Sequence, residues 1–105
     1  GIAKGIADVA ARARAKQLKP EDVQGGTFTI TNPGSFGTLF GMPIINQPQV
    51  AILGAGRIIE AARPRDGIIR ISRVLPLSLT FDHRVVTGAE AVTFLNAVIA
   101  KLSAL

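Results

Sequence analysis

An α+β fold, with helices packed on one face of a sheet, follows from three features of this sequence. A helix-spaced stretch opens the chain and another closes it, β-rich segments fill the middle, and Gly and Pro separate the segments. With 105 residues the chain can form one unit with a modest core, and a second domain is not expected.

The elements can be taken in order. Ile2, Ile6, Val9 and Ala13 recur at steps of three and four, with Lys4, Asp8, Arg12 and Lys16 between them, which predicts an amphipathic helix ending near Lys19, ahead of Pro20. Gly25 and Gly26 break the chain. Thr27 to Thr31 then alternates polar and apolar residues, as a half-buried strand does, and places three threonines on one face. Asn32, Pro33 and Gly34 end that strand, and Ser35 to Pro48 reads as a long ordered loop. Val50 to Leu53 is a continuous apolar run, the mark of a strand covered on both faces. Asp66-Gly67 predicts a hairpin turn, with Ile68 to Phe81 as the return strand interrupted by Pro76. Leu77, Leu79 and Phe81 alternate with polar neighbours, so Phe81 should point into the core and deliver Asp82 and His83 to the strand's end. After Gly88, apolar residues from Val92 to Leu105 repeat at helical spacing, and Thr87 with Glu90 forms a capping box.

Composition narrows the chemistry. Hydrophobic residues make up 48% of the chain and aromatic ones only 5%, so Ile, Val, Leu and Ala must fill the interior. No cysteine is present, which removes disulfides, thiolate metal sites and a cysteine nucleophile, and a single histidine argues against zinc, so no metal is expected. No apolar run reaches the ~18 residues of a membrane span, so no membrane association is expected, and no segment resembles a signal peptide. A soluble intracellular protein is the expectation. The chain opens on Gly1 rather than Met, as a fragment or a processed product would. The net charge of +5 comes from scattered Lys and Arg without an aromatic stacking platform, so a solvated basic surface is expected rather than a nucleic-acid partner.

His83 is the one side chain whose ordinary pKa, ~6.5, suits proton transfer at neutral pH, and it sits at a strand end just before a helix. Spacing alone leaves it either a base or a turn histidine. Asp82 and Arg84 read as a local ion pair. Thr31, at a strand end beside a Gly-containing turn, is either a hydrogen-bond donor to a cleft or an ordinary β-branched strand residue. No G-x-S-x-G elbow supports serine-hydrolase chemistry, and Gly54-Ala55-Gly56 lacks the remaining spacing of a phosphate or dinucleotide loop.

Three co-linear stretches carry a resemblance. GGTFTITNPGSFG at Gly25 to Gly37, PIINQPQVAILG at Pro43 to Gly54 and LSLTFDHRVVTG at Leu77 to Gly88 resemble, in order and spacing, the catalytic domain of the dihydrolipoamide acyltransferases of 2-oxo acid dehydrogenase complexes. The likeness runs across essentially all 105 residues. It implies a chloramphenicol-acetyltransferase-like sheet, with residues 1–105 as the carboxy-terminal half of the catalytic domain and no lipoyl or subunit-binding domain. The implied activity is acyl transfer between the thiols of a dihydrolipoyl group, carried on a separate lipoyl domain, and coenzyme A as substrate. His83 then matches the catalytic base, and Thr31 the Ser or Thr whose hydroxyl stabilises the oxyanion. Thr87 stands where an Asp is usual, which puts the rate in doubt more than the fold. The implied partners are two further copies in a homotrimer that builds a larger core, plus the lipoyl domain, the decarboxylase and the dihydrolipoyl dehydrogenase. The implied location is the cytoplasm, or the mitochondrial matrix in a eukaryote. The alternatives are a structural core subunit with weak catalysis and a small-molecule acetyltransferase of the same fold.

Overall fold

The computed structural model describes residues 1–105, apart from the side chain of Ser35. Helix α1 spans Ile2–Arg14. It stops short of the expected Lys19 because its last turn closes on itself. Lys16 adopts the left-handed conformation, with φ 58°, and the amides of Lys16 and Gln17 return to the carbonyls of Ala13 and Arg12. That is a Schellman closure, with lysine at the position glycine usually takes. A 3-10 turn follows at Pro20–Val23, where Asp22 accepts from the Lys19 amide at 2.8 Å and from the Arg12 guanidinium through both carboxylate oxygens. This contact ties α1 to the following turn. The Arg12 hydrogen bond, and then the Lys19 amide, hold the Asp22 carboxyl below the usual carboxylate range.

Three strands form the main sheet. β1 (Thr29–Thr31) runs parallel to β2 (Ala51–Ala55), and β2 pairs antiparallel with β5 (Leu77–Phe81), in the order β1-β2-β5. The predicted apolar run is the central strand, and its Ile52 and Leu53 are buried. Ala91 of helix α2 (Gly88–Ser103) is buried as well, and α2 packs beside β5. Phe94 of α2 meets Phe28, just before β1, with ring centroids 5.5 Å apart.

β3 (Ile59–Arg65) and β4 (Ile68–Val74) make a separate antiparallel hairpin. Asp66 and Gly67 both have positive φ, 52° and 77°, which is the geometry of the two-residue turn expected there. The predicted return strand to Phe81 is two strands in two sheets. The chain is diverted at Leu75-Pro76, and the Pro76 carbonyl accepts from Gly56 N at 2.8 Å. Proline has no amide to continue a ladder, so the sheet changes there.

Two expectations need correction. Only α2 packs on the sheet, whereas α1 buries none of its residues and stands away from it. The radius of gyration, 16.6 Å, shows the same thing, since a close-packed chain of this length would have ~13 Å. The first strand is also shorter than expected and faces the other way, with Thr29 and Thr31 half-buried while Ile30 is exposed.

Candidate functional site

His83 is presented by a turn that β5 builds at its end. Phe81 pairs with Ala51, and the Asp82 amide donates to the Val50 carbonyl at 2.8 Å, carrying the pairing one residue further. The chain then folds back on Asp82. Its carboxylate accepts from the Arg84 amide at 3.0 Å, from Nε at 3.0 Å and from Nη2 at 2.9 Å, while its carbonyl accepts from the amides of Val85 and Val86. His83 lies at the crest of this clamp, exposed, its ring 5.4 Å from that of Phe81 and tilted by 41°. The expected Asp82–Arg84 ion pair is present and does a structural job. The Arg84 side chain, and then its amide, hold the Asp82 carboxyl below the usual range, and Asp82 in turn raises the Arg84 guanidinium. Because Asp82 is committed to Arg84, it is not the group that orients the imidazole.

Thr31 closes β1 in register with Gly54, half-buried, and its hydroxyl has no hydrogen bond among the described residues. Backbone proximity fixes the turn that follows it. A side chain at Gly34 would collide with the backbone of Gly56 and Arg57, and one at Gly56 would collide with the Leu39 carbonyl. The Asn-Pro-Gly turn and the loop therefore lie directly on the end of β2, and that holds Thr31 in place.

Thr87 caps α2 as expected. Its Oγ1 accepts from Glu90 N at 3.2 Å, and the Glu90 carboxylate accepts from Thr87 N at 3.0 Å. The Thr87 amide first, and then the Thr87 side chain, hold the Glu90 carboxyl below its usual range.

The fold brings His83 and Thr87 onto one turn but keeps Thr31 apart. Thr31 lies level with Gly54 and Ser78, whereas His83 follows Phe81 at the far end of β5, and β2 lies between the two strands. Three residues along a strand and two strand spacings put the Thr31 backbone ~14 Å from that of Phe81. Within one chain, Thr31 and His83 do not form a joint site. A residue the sequence reading passed over also lies at the His83 end. Gln49 Oε1 accepts from Thr29 Oγ1 at 2.6 Å, joining the loop to β1. The only sign of it in the sequence was a polar residue next to an apolar run. No cluster of three His, Cys, Asp or Glu side chains that could hold a metal occurs among the described residues, and no helix of the structure is long and apolar enough to cross a membrane.

Comparison with known proteins places this geometry. The family model for the 2-oxoacid dehydrogenases acyltransferase (catalytic domain) matches residues 1–105. The dihydrolipoyllysine-residue acetyltransferase component of the pyruvate dehydrogenase complex from Mycobacterium bovis is 49% identical, the match covering 93% of this chain and 19% of that protein. A crystal structure of a probable dihydrolipoamide acetyltransferase from Listeria monocytogenes superposes with a TM-score of 0.96 at 40% identity, covering 98% of this chain and 44% of the other. The Azotobacter vinelandii dihydrolipoamide acetyltransferase superposes with a TM-score of 0.84 at 38% identity, covering 90% of this chain and 39% of that one. That enzyme was studied for the role of a serine, a histidine and an asparagine in its catalytic mechanism, the serine 52 positions before the histidine and the asparagine four after it. The chain thus spans about a fifth of the curated relative's length and less than half of each solved structure. On sequence along its whole length and on fold, it belongs to the 2-oxoacid dehydrogenase acyltransferase family.

Proposed function

We propose that residues 1–105 are the carboxy-terminal half of an acyltransferase catalytic domain with a chloramphenicol-acetyltransferase-like sheet. It moves an acyl group between a dihydrolipoyl thiol and the thiol of coenzyme A within a 2-oxo acid dehydrogenase complex. The observation that carries the reading is a match of spacing. Thr31 precedes His83 by 52 residues and Thr87 follows it by four, the spacing of the three residues studied in the Azotobacter enzyme. In this chain the histidine of that trio stands exposed on a clamped turn, and the first residue ends a strand with its hydroxyl unbonded among the described residues.

The chemistry follows from these groups. A thiol with a pKa near ~8.5 is mostly protonated at neutral pH, so His83 takes the proton of the attacking thiol as the sulfur bonds to the thioester carbonyl carbon. The carbonyl oxygen becomes an oxyanion, and the Thr31 hydroxyl donates a hydrogen bond to it. Collapse breaks the original carbon–sulfur bond, and the departing thiolate recovers its proton from the imidazolium. Because Thr31 and His83 lie at opposite ends of the sheet, Thr31 of one copy completes the site of His83 on another, as a trimer provides. Thr87 sets the start of α2 and so the path of the His83 turn. The lipoyl domain brings the substrate, and the decarboxylase and dehydrogenase act before and after it. The protein works in the cytoplasm, or in the matrix in a eukaryote.

One observation favours a second reading, a core subunit with weak catalysis. Thr87 is engaged in a cap and brings no charge to the histidine. Turnover of dihydrolipoamide with acetyl- or succinyl-coenzyme A by the full-length protein separates the two, and also separates both from a small-molecule acetyltransferase. His83→Ala should lower kcat by ~10² to 10⁴, the contribution of a positioned base, without dissolving the oligomer. A variant retaining more than about half of wild-type kcat would remove His83 from the chemistry.

A further inference from the structure

The β3–β4 hairpin holds an arrangement that neither its own stability nor acyl transfer explains. Arg63 and Arg70 are directly opposed in register, so their side chains leave the same face from Cβ atoms ~5 Å apart. Arg65, two residues along, shares that face. Like charges directly opposite destabilise a strand pair. No carboxylate relieves them: the ion pairs among the described residues join Arg12 to Asp8 and Asp22, and Arg84 to Asp82. Glu60 lies opposite Arg73 on the other face, and Asp66 lies in the turn.

This basic face is the one turned toward the body of the protein. At the base of the hairpin Ile59, Ala61, Ser72 and Val74 are half-buried on it, whereas the opposite face, with Ile69 and Ile71, is exposed. Between it and the carboxy-terminal end of α2 lies a cleft of about 480 Å³. Arg63, Arg65 and Ser72 line one side, Leu77, Ile99 and Leu102 the other, and no Asp or Glu lines it. Its size is that of a small-molecule site with an apolar wall. The end of α2 is the negative end of a helix dipole, so an anion belongs on the hairpin side.

We infer that this cleft binds a phosphorylated small molecule, its phosphate or diphosphate held by Arg63 and Arg65 and its organic part lying on Leu77, Ile99 and Leu102. Phosphate suits the site because guanidinium forks bond its oxygens in pairs, and because one dianion offsets the repulsion of the opposed pair. The cleft opens at the Leu77 end of β5, away from His83, and the inference does not depend on the acyl-transfer reading.

The test titrates the full-length protein with inorganic pyrophosphate by calorimetry, alone and then with saturating coenzyme A. Wild type should bind saturably and gain thermal stability with pyrophosphate. The double variant Arg63→Gln, Arg65→Gln should bind at least tenfold more weakly and gain none, while melting no lower than wild type without ligand, since it has lost the repulsion between Arg63 and Arg70. A control carrying Lys4→Gln and Lys16→Gln makes the same change in net charge on α1 and should bind like wild type. If coenzyme A displaces pyrophosphate and itself needs the two arginines, the phosphates belong to coenzyme A. If pyrophosphate binds regardless, they belong to another phosphorylated ligand. Absence of saturable binding, or equal weakening in the α1 control, would overturn the inference, because the face would then be only a solvated basic surface.

Discussion

The β1-β2-β5 sheet and the β3–β4 hairpin are both made of short strands rich in β-branched residues, yet they relate to solvent in opposite ways. In the sheet, β2 is paired on both sides, and Ile52 and Leu53 are 5% and 6% exposed. In the hairpin, Ile69 and Ile71 are 77% and 76% exposed. A lone two-stranded ribbon is marginal in water, so turn chemistry shapes this one and what covers its apolar face must stabilise it. α1 is a similar case, amphipathic with an uncovered stripe of Ile2, Ile6 and Val9. The same sequence signals produce an element in either setting. Burial decides what a substitution there costs.

The largest contrast should come from truncating one side chain in each region. Leu53→Ala leaves a cavity under the central strand and should cost ~2–5 kcal/mol, read from urea unfolding of the full-length protein. Ile71→Ala should cost well under ~1 kcal/mol if the hairpin stays open to solvent. A cost for Ile71 equal to that for Leu53 would mean that another part of the full-length protein, or another copy, covers the hairpin. Thr31→Val comes next and acts on rate. It should lower kcat by ~10² to 10³ with little change in KM, whereas Thr31→Ser should be mild. A loss confined to KM would make Thr31 a packing residue of β1.

Smaller effects test the junction between sheet and helix. Thr87→Ala should cost ~1 kcal/mol, since the Glu90 amide loses its acceptor, whereas Thr87→Asp should leave the melting temperature nearly unchanged. Asp near His83 would stabilise its imidazolium, so kcat should rise across the pH profile, and a slower Asp variant would show that this turn is built around the hydroxyl. The smallest effect concerns the tether of α1. The Asp22 carboxyl has a folded value lowered by Arg12, so its contribution is complete above the ordinary carboxylate range and is lost as pH falls through the lowered value. Protection of the α1 amides from hydrogen exchange, taken relative to the intrinsic rate at each pH, should therefore fall on acidification, and Asp22→Asn should show that lower protection already at neutral pH. Exchange in α1 that ignores both changes would mean another contact holds it.

Much of the molecule was legible from neighbouring residues alone. Thr87 and Glu90 lie one helical turn apart, Asp66 and Gly67 both tolerate positive φ, and Asp82 meets Arg84 two residues on, so these features close over distances the chain cannot avoid. The apolar run at Val50 to Leu53 marked the central strand because only a strand covered on both faces can be apolar throughout. His83 and Thr31 were legible as types in suggestive places, and the family likeness supplied the roles proposed for them.

Tertiary structure decided what depends on residues far apart in sequence. Which face of β1 turns inward followed from pairing with β2, and it set the threonines in and Ile30 out. The path of the loop followed from backbone contact between Gly34 and Gly56, which no local pattern announces. Register alone placed Arg63 against Arg70 and separated Thr31 from His83 by the length of a strand. Each of these is a non-local pairing chosen among alternatives of similar local propensity, and only the assembled sheet distinguishes them.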